Sequence, residues 1–398
     1  MILTRQSLIV LSAVILSFFI VKPAKGMPAF ARKYQISCQV CHSPFPHLKP
    51  FGEDFASNGY RMTEYEAPRY FIQTGDEKLS LLRELPIAVR IDGIASYNMG
   101  NSGNIDFGAP SGVKLLSGGE LSDRLSYYFY FFMSEGGNIV GIEDAFITYN
   151  NLFGTGINFS VGQFQACDPF YKRELRLTLE DIAILNAVPG TSNVSLKYER
   201  GIMLDYEIPK INTGIVAEVL NGNGINGAGE ELLFDKDKYK NLLVYVTQPL
   251  GNNLSLGLLG YTGKEIVNGA PVELPCRTNM GGPVVNFNLN QKLIVNAQYI
   301  FRTDSRIYNS ELGDWVTDAD THGGYIEIIF TPKGDMSNWY LTGLLNQVES
   351  DYDILDYKSA SIQYGYLLRR NLRLLSEFTW LDGEQKYCKI SAGFVAGF

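Results

Sequence analysis

Tyr387-Cys388-Lys389-Ile390-Ser391-Ala392-Gly393-Phe394-Val395-Ala396-Gly397-Phe398 closes the sequence and sorts its residues by parity. Cys388, Ile390, Ala392, Phe394, Ala396 and Phe398 fall on one side; Tyr387, Lys389, Ser391, Gly393, Val395 and Gly397 fall on the other. A period of two with one apolar side is the pattern of a half-buried strand. Twelve residues in that pattern exceed the ~5–6 of a soluble strand and fit the span of a tilted membrane strand. An amphipathic strand ending on Phe398 is also how outer-membrane barrels finish.

The same alternation recurs upstream. Leu372, Leu374, Phe378 and Trp380 oppose Arg373, Glu377 and Thr379, and Trp339, Leu341 and Leu345 oppose Asn338, Thr342 and Asn346. Leu293, Val295, Ala297, Tyr299 and Phe301 oppose Lys292, Asn296, Gln298 and Arg302. Leu125, Tyr127, Phe129, Phe131 and Met133 oppose Arg124, Ser126, Tyr128 and Ser134. Tight connections at Ser122-Asp123, Pro209-Lys210, Gly251-Asn252, Asn290-Gln291 and Arg370-Asn371 alternate with long ones at 99–111, 165–192, 221–238, 264–275 and 304–321. Short turns on one side and long loops on the other mark a transmembrane barrel. The 24 Tyr, 23 Phe and 40 Gly suit many strands without long apolar runs. We therefore expect an all-β fold: an antiparallel transmembrane barrel over 85–398 with about sixteen strands. That count takes Val194–Glu207 as one strand interrupted at Arg200-Gly201. The third long loop holds a candidate amphipathic helix from Phe170 to Ile184, either on the surface or folded into the lumen.

The other end of the sequence sets the compartment. Arg5 precedes an apolar run from Leu8 to Val21, and Ala24-Lys25-Gly26 offers a cleavage site before Met27. This is the layout of a secretory signal peptide over 1–26, and the run is shorter than the roughly 20 residues of a spanning helix. The chain carries a net charge of −8, more acidic still once Arg5, Lys22 and Lys25 leave with the leader. That balance argues against nucleic acid as a partner.

Between leader and barrel, 27–75 forms a separate unit. Cys38-Gln39-Val40-Cys41-His42 has the C-x-x-C-H spacing by which a haem is attached. Cysteines three apart share a helical face, so both thiols can meet one porphyrin edge, and the adjacent His42 reaches the iron. Of the competing readings, zinc or a redox dithiol, the zinc site needs ligands beyond His42 and His47. Cys38, Cys41 and His42 are thus expected to hold one covalent haem c, with His42 as the proximal iron ligand. For the distal side Met62 is the first candidate, His47 the second, and an open or water-filled position the third. Pro44 and Pro46 end any helix after His42. Pro50 then opens a short one, with Leu48, Phe51 and Phe55 as its apolar stripe, and Asn58-Gly59 turns Tyr60–Met62 back. Some fifty residues bury little, so the unit is expected to plug the barrel and borrow its wall. Cys167 and Cys276, both placed in loops, are a candidate disulfide; Cys388 is expected to face lipid.

Met27-Pro28-Ala29-Phe30-Ala31-Arg32, the C-x-x-C-H, Pro46-x-Leu48-x-Pro50-Phe51-Gly52-x-x-Phe55 and Gly59-Tyr60 together resemble the fused monohaem cytochrome c–porins of the bacterial outer membrane, whose best-known members belong to iron-oxidising bacteria. The resemblance implies an outer-membrane electron conduit, an iron oxidase of sorts. Extracellular Fe(II) would be the donor and a periplasmic c-type cytochrome or other carrier the acceptor. Two alternatives stay open: the same conduit run outward to minerals or an electrode, and a diffusion porin with a haem sensor or gate. For an iron contact the lumen-facing Glu218, Glu327 and Glu377 are guesses.

Overall fold

The computed structural model describes residues 29–62, 71–72, 75, 81–82, 85–100, 103–166, 175–229, 232–266, 274–309 and 314–398. The expected signal peptide, Cys167 and the first part of the candidate helix from Phe170 lie outside them.

Sixteen antiparallel strands close into one barrel. In chain order they are β1 Ile87–Asn98, β2 Ile105–Ser122, β3 Leu125–Glu135, β4 Gly141–Tyr149, β5 Asn158–Gln165, β6 Tyr198–Ile208, β7 Thr213–Leu220 and β8 Asn241–Leu250. They continue as β9 Leu254–Ile266, β10 Pro275–Leu289, β11 Leu293–Asn309, β12 Asp314–Phe330, β13 Trp339–Ser350, β14 Tyr357–Arg369, β15 Leu372–Asp382 and β16 Lys386–Gly397. Each strand pairs with its neighbour in sequence, and β16 closes on β1 with Ala392 opposite Ala95. Closure leaves no unpaired edge, which a sheet in hydrocarbon cannot tolerate.

The parity rule sorts inside from outside. Leu258, Phe301, Leu345, Ile362, Phe378 and Ile390 are exposed on the outer face, while Arg302, Asn346, Gln363, Glu377 and Ser391 are buried on the inner one. Such a barrel wears its apolar side outward because its solvent there is lipid. Phe330, Trp339 and Tyr364 cluster where β12, β13 and β14 reach the short turns, each ring centroid 6.1 Å from the next. Aromatic rings at that level match an interfacial girdle. Leu258 lies near the middle of the apolar band and is 62% exposed. Leu258→Arg is expected to cost about 2–4 kcal/mol of folding free energy in lipid vesicles, measured by urea titration. A cost within error of zero would put that face in water.

The long loop expected at 304–321 is strand over 304–309 and 314–321, and strand enters the one expected at 264–275 from both ends, to Ile266 and from Pro275. β11 and β12 pair out to Asn309↔Asp314, and β10 begins at Pro275. Beyond the lipid band neither side of the ladder is uniformly apolar, so hydropathy loses the strand while its hydrogen bonds continue. For the same reason Cys276 is a strand residue, not a loop residue. It is fully buried against Ile307, Ala319 and Tyr352 and carries a free thiol; its proposed partner Cys167 is outside the described residues. Cys388 shares the outward parity of Ile390, as expected. Residues 194–197 precede β6, which runs unbroken from Tyr198. Gly201 is not a break: a Cβ there would sit 2.2 Å from the Val219 carbonyl oxygen of β7, so glycine permits the close pairing.

Candidate functional site

The third loop folds into the barrel. Its described part contains one short helix, α3 (Ala183–Asn186), where a longer amphipathic one was expected. Inward side chains anchor it. Arg302 donates to the carbonyls of Ala187 (3.2 Å) and Val194 (2.8 Å). Glu377 accepts from the backbone N–H of Leu179 at 2.7 Å and of Glu180 at 3.2 Å. Glu265 accepts from Ser192 Oγ at 2.5 Å. Leu177 is fully buried against Ile294, Ile329 and Tyr340. The loop thus divides the lumen rather than covering it.

The N-terminal unit fills the mouth where the short turns gather. It contains α1 (Ala29–Tyr34), a 3₁₀ turn Cys38–Val40 and α2 (Pro50–Ser57). Pro50 starts α2 at a position that needs no N–H. Gly59 (φ +67°) ends it, and Tyr60 N–H returns to the Phe55 carbonyl at 2.9 Å. Phe55 packs with Tyr34 and Tyr60, whereas Phe51 is 43% exposed, so the expected apolar stripe is split.

Three rings join plug to wall. Tyr60 stacks on Phe30 (centroids 5.1 Å, 5° between planes) and on inward-facing Tyr128 of β3 (4.5 Å, 12°). Such pairs contribute roughly 0.5–1.5 kcal/mol each beyond their burial. Gly59 allows the approach, since a Cβ there would lie 2.1 Å from Ser126 Oγ. Lys49 pairs with Asp335 in the β12–β13 turn, and Arg61 Nε with Glu120 of β2 at 2.7 Å. Both pairs are partly exposed, so they orient the plug more than they stabilise it. The aromatics of this latch are visible in the sequence; that Tyr128 is their partner is not, because it depends on barrel closure.

The C-x-x-C-H segment faces the opposite side of the mouth. Backbone N–H groups of Cys41 and His42 both donate to the Cys38 carbonyl, at 3.3 and 2.9 Å, coiling the motif tightly. His42 Nδ1 lies 2.7 Å from the Pro46 carbonyl oxygen. A carbonyl only accepts, so Nδ1 carries the proton and Nε2 keeps its lone pair for a metal. The Phe45 ring lies edge-on to His42, centroids 5.3 Å apart. Burial lowers the His42 pKa, keeping the imidazole neutral as a ligand must be, and raises the thiols, Cys41 to about 11. A thiol kept protonated by burial is a poorer nucleophile and a poorer zinc ligand than a thiolate.

A narrow cleft of about 10 Å³ lies beside the motif, walled by Cys38, His42 and Phe45 from the plug and by Thr331, Asp335 and Arg370 from the barrel turns. That space holds about one water molecule. In chemistry, two thiols three residues apart and a neutral imidazole that keeps its Nε2 lone pair would fit a covalently held haem. Met62 does not line the cleft; it packs into the aromatic cluster of Tyr34, Phe55 and Tyr60. His47 is half-buried beside His42, and desolvation lowers its pKa to about 4. Its Nδ1 makes no hydrogen bond among the described residues. Among those residues, no group of three or more His, Cys, Asp and Glu side chains could hold a metal ion. Of the guessed iron contacts, Glu377 is occupied by the third loop and Glu327 accepts from Asn296 Nδ2 at 2.8 Å. Glu218 is fully buried.

No family model matches the sequence, and no curated protein is similar to it. The solved structures that resemble the chain are outer-membrane barrels. An anion-selective porin from Comamonas acidovorans superposes with a TM-score of 0.56 at 12% identity, covering 79% of this chain and 99% of that one. OmpF of Salmonella typhi, in complex with daunomycin, gives 0.56 at 9% identity over 79% and 97%. The loop-deleted OmpT of Vibrio cholerae gives 0.53 at 10% identity over 79% and 99%. At such identities the likeness is one of fold, and the fold is that of a porin-type barrel of sixteen strands.

Proposed function

We propose that this chain is an electron conduit of the bacterial outer membrane. In it Cys38 and Cys41 hold a single c-type haem and His42 ligates its iron, with extracellular Fe(II) as donor and a periplasmic carrier as acceptor. The observation that carries this reading is His42 in its C-x-x-C-H frame. Its Nδ1 proton is spent on Pro46, and its ring is set in the barrel mouth beside a cleft that plug and wall share. When bound, haem supplies reversible one-electron chemistry. The protein's own part is to hold the imidazole in one tautomer, keep water from it through Phe45, and seat the motif at the membrane boundary. The apolar outer face and the likeness to porins support the location; the resemblance to cytochrome–porin fusions supports the donor.

The test is to add ferrous iron anaerobically to the oxidised full-length protein at the host's working pH. A reduced haem spectrum is expected, and its absence would remove Fe(II) as donor. A diffusion porin with a haem sensor or gate is the second reading, favoured by the porin-like barrel and an open shaft of about 590 Å³ on the loop side.

A further inference from the structure

That shaft ends on a floor, and one aromatic ring stands between the floor and His42. It opens among Asp106, Glu135 and Gly136 at the loop end. β1, β2, β15 and β16 wall it on one side, and Arg176, Thr178 and Leu179 of the third loop wall it on the other. The lining residues nearest the turns are Arg90, Lys114, Val395 and Arg373. A cation with six waters needs about 200 Å³ at roughly 30 Å³ per water. The shaft's 590 Å³ admits that, or a small chelate, but no mineral face and no folded protein. Its lining mixes the acidic Asp92, Asp106 and Glu135 with basic side chains, so size rather than one sign of charge is its criterion.

Phe45 of the plug closes the floor. Gly397 is directly opposite Arg90 in the β16–β1 ladder, and a Cβ on it would lie 3.5 Å from Phe45 Cζ. The same ring meets His42, with centroids 5.3 Å apart. The shaft and the cleft beside the motif share no lining residue, so among the described residues Phe45 separates them. Val395 is two residues, roughly 7 Å of strand, from Gly397. The loop end is far away by comparison: β1 is 12 residues long, on the order of 40 Å along the strand. A donor held at the loops therefore cannot touch the motif, whereas one on the floor is separated from it by little more than Phe45.

We propose that this shaft is the entry route of the electron donor. Dissolved iron, free or in a small chelate, descends from the loop side to the floor at Arg90 and Val395. There Fe(II) loses one electron across Phe45 to the ferric haem iron at His42, which becomes ferrous, and the Fe(III) formed leaves by the same shaft. This rests on the conduit reading and sharpens it: the donor is a solute.

Purified full-length holoprotein tests the route by two readouts. Gly112→Cys places a thiol on the floor, opposite Asp92, where a Cβ meets nothing closer than 3.7 Å. Ser96→Trp fills the shaft roughly 13 Å higher along β1. An ethyl methanethiosulfonate reagent should modify Gly112→Cys, above the background of the wild type's own thiols, and a polymer-linked one should not. Adding Ser96→Trp should slow the small reagent by an order of magnitude or more. The same Trp should slow haem reduction by Fe(II) to a similar extent, with or without citrate, and the faster of those two arms identifies the form that enters. Heat-modifiable gel migration reports assembly. If Ser96→Trp does not assemble, Gly108→Trp replaces it, since a Cβ there meets nothing closer than 3.5 Å. An unreactive Gly112→Cys, or labelling or reduction that the Trp leaves unchanged, would overturn the route. A wild type that Fe(II) does not reduce would instead remove the conduit reading, and the labelling would still decide the shaft.

Discussion

Proteoliposomes carrying the full-length protein are expected to swell in small sugars no faster than protein-free liposomes. A barrel of sixteen strands left empty encloses an aqueous channel. Here two insertions take up that space. The plug stacks on the wall at Tyr60–Tyr128 and closes over the turn mouth. The third loop, tied through Arg302 and Glu377, sets Leu177 against Ile294, Ile329 and Tyr340 inside the barrel. Unlatching the plug with Tyr60→Ala, Lys49→Ala and Arg61→Ala together should raise the rate, because each residue joins plug to wall and none contributes to a strand. Sugar flux through the wild type at the rate of an open porin would favour the diffusion reading over the conduit.

The second large effect concerns the attachment cysteines. Replacing both Cys38 and Cys41 with Ala should abolish covalent haem and ferrous-dependent reduction while leaving the barrel assembled. The barrel's ladder does not involve the two thiols: the contacts that seat the plug include Tyr60, Lys49, Arg61 and Gln39, whose Nε2 donates to the Asp335 carbonyl at 2.6 Å. Haem stain on denaturing gels and heat-modifiable migration read the two properties separately. A variant that loses barrel assembly along with haem would mean that attachment is needed for folding, not only for redox function.

These predictions depend on features that were unequally legible in the residues. The strand faces read from Leu125–Met133, Leu293–Phe301, Trp339–Leu345, Leu372–Trp380 and Cys388–Phe398 hold in the barrel because lipid rewards one parity and the lumen the other. The count of sixteen follows from the same rule. Above the lipid band the rule lapses, so the outer parts of β10, β11 and β12 read as loops and Cys276 was misplaced. The turn after α2 was legible from Asn58-Gly59, since a positive φ there favours glycine. The lodging of the third loop was not, because Glu377 and Arg302 are 198 and 108 residues from the atoms they hold at Leu179 and Val194. Nor was the packing of Met62 against Tyr34, Phe55 and Tyr60, which depends on how the plug folds back on itself.

The central claim is that Cys38-x-x-Cys41-His42 carries haem within a barrel. Intact mass of the mature chain, with an alkaline pyridine spectrum of the denatured protein, addresses it most directly. One haem per chain, retained through denaturation and absent from the double Cys→Ala variant, is the predicted result. A mature chain at its unmodified mass after expression with a working haem-attachment system would contradict it.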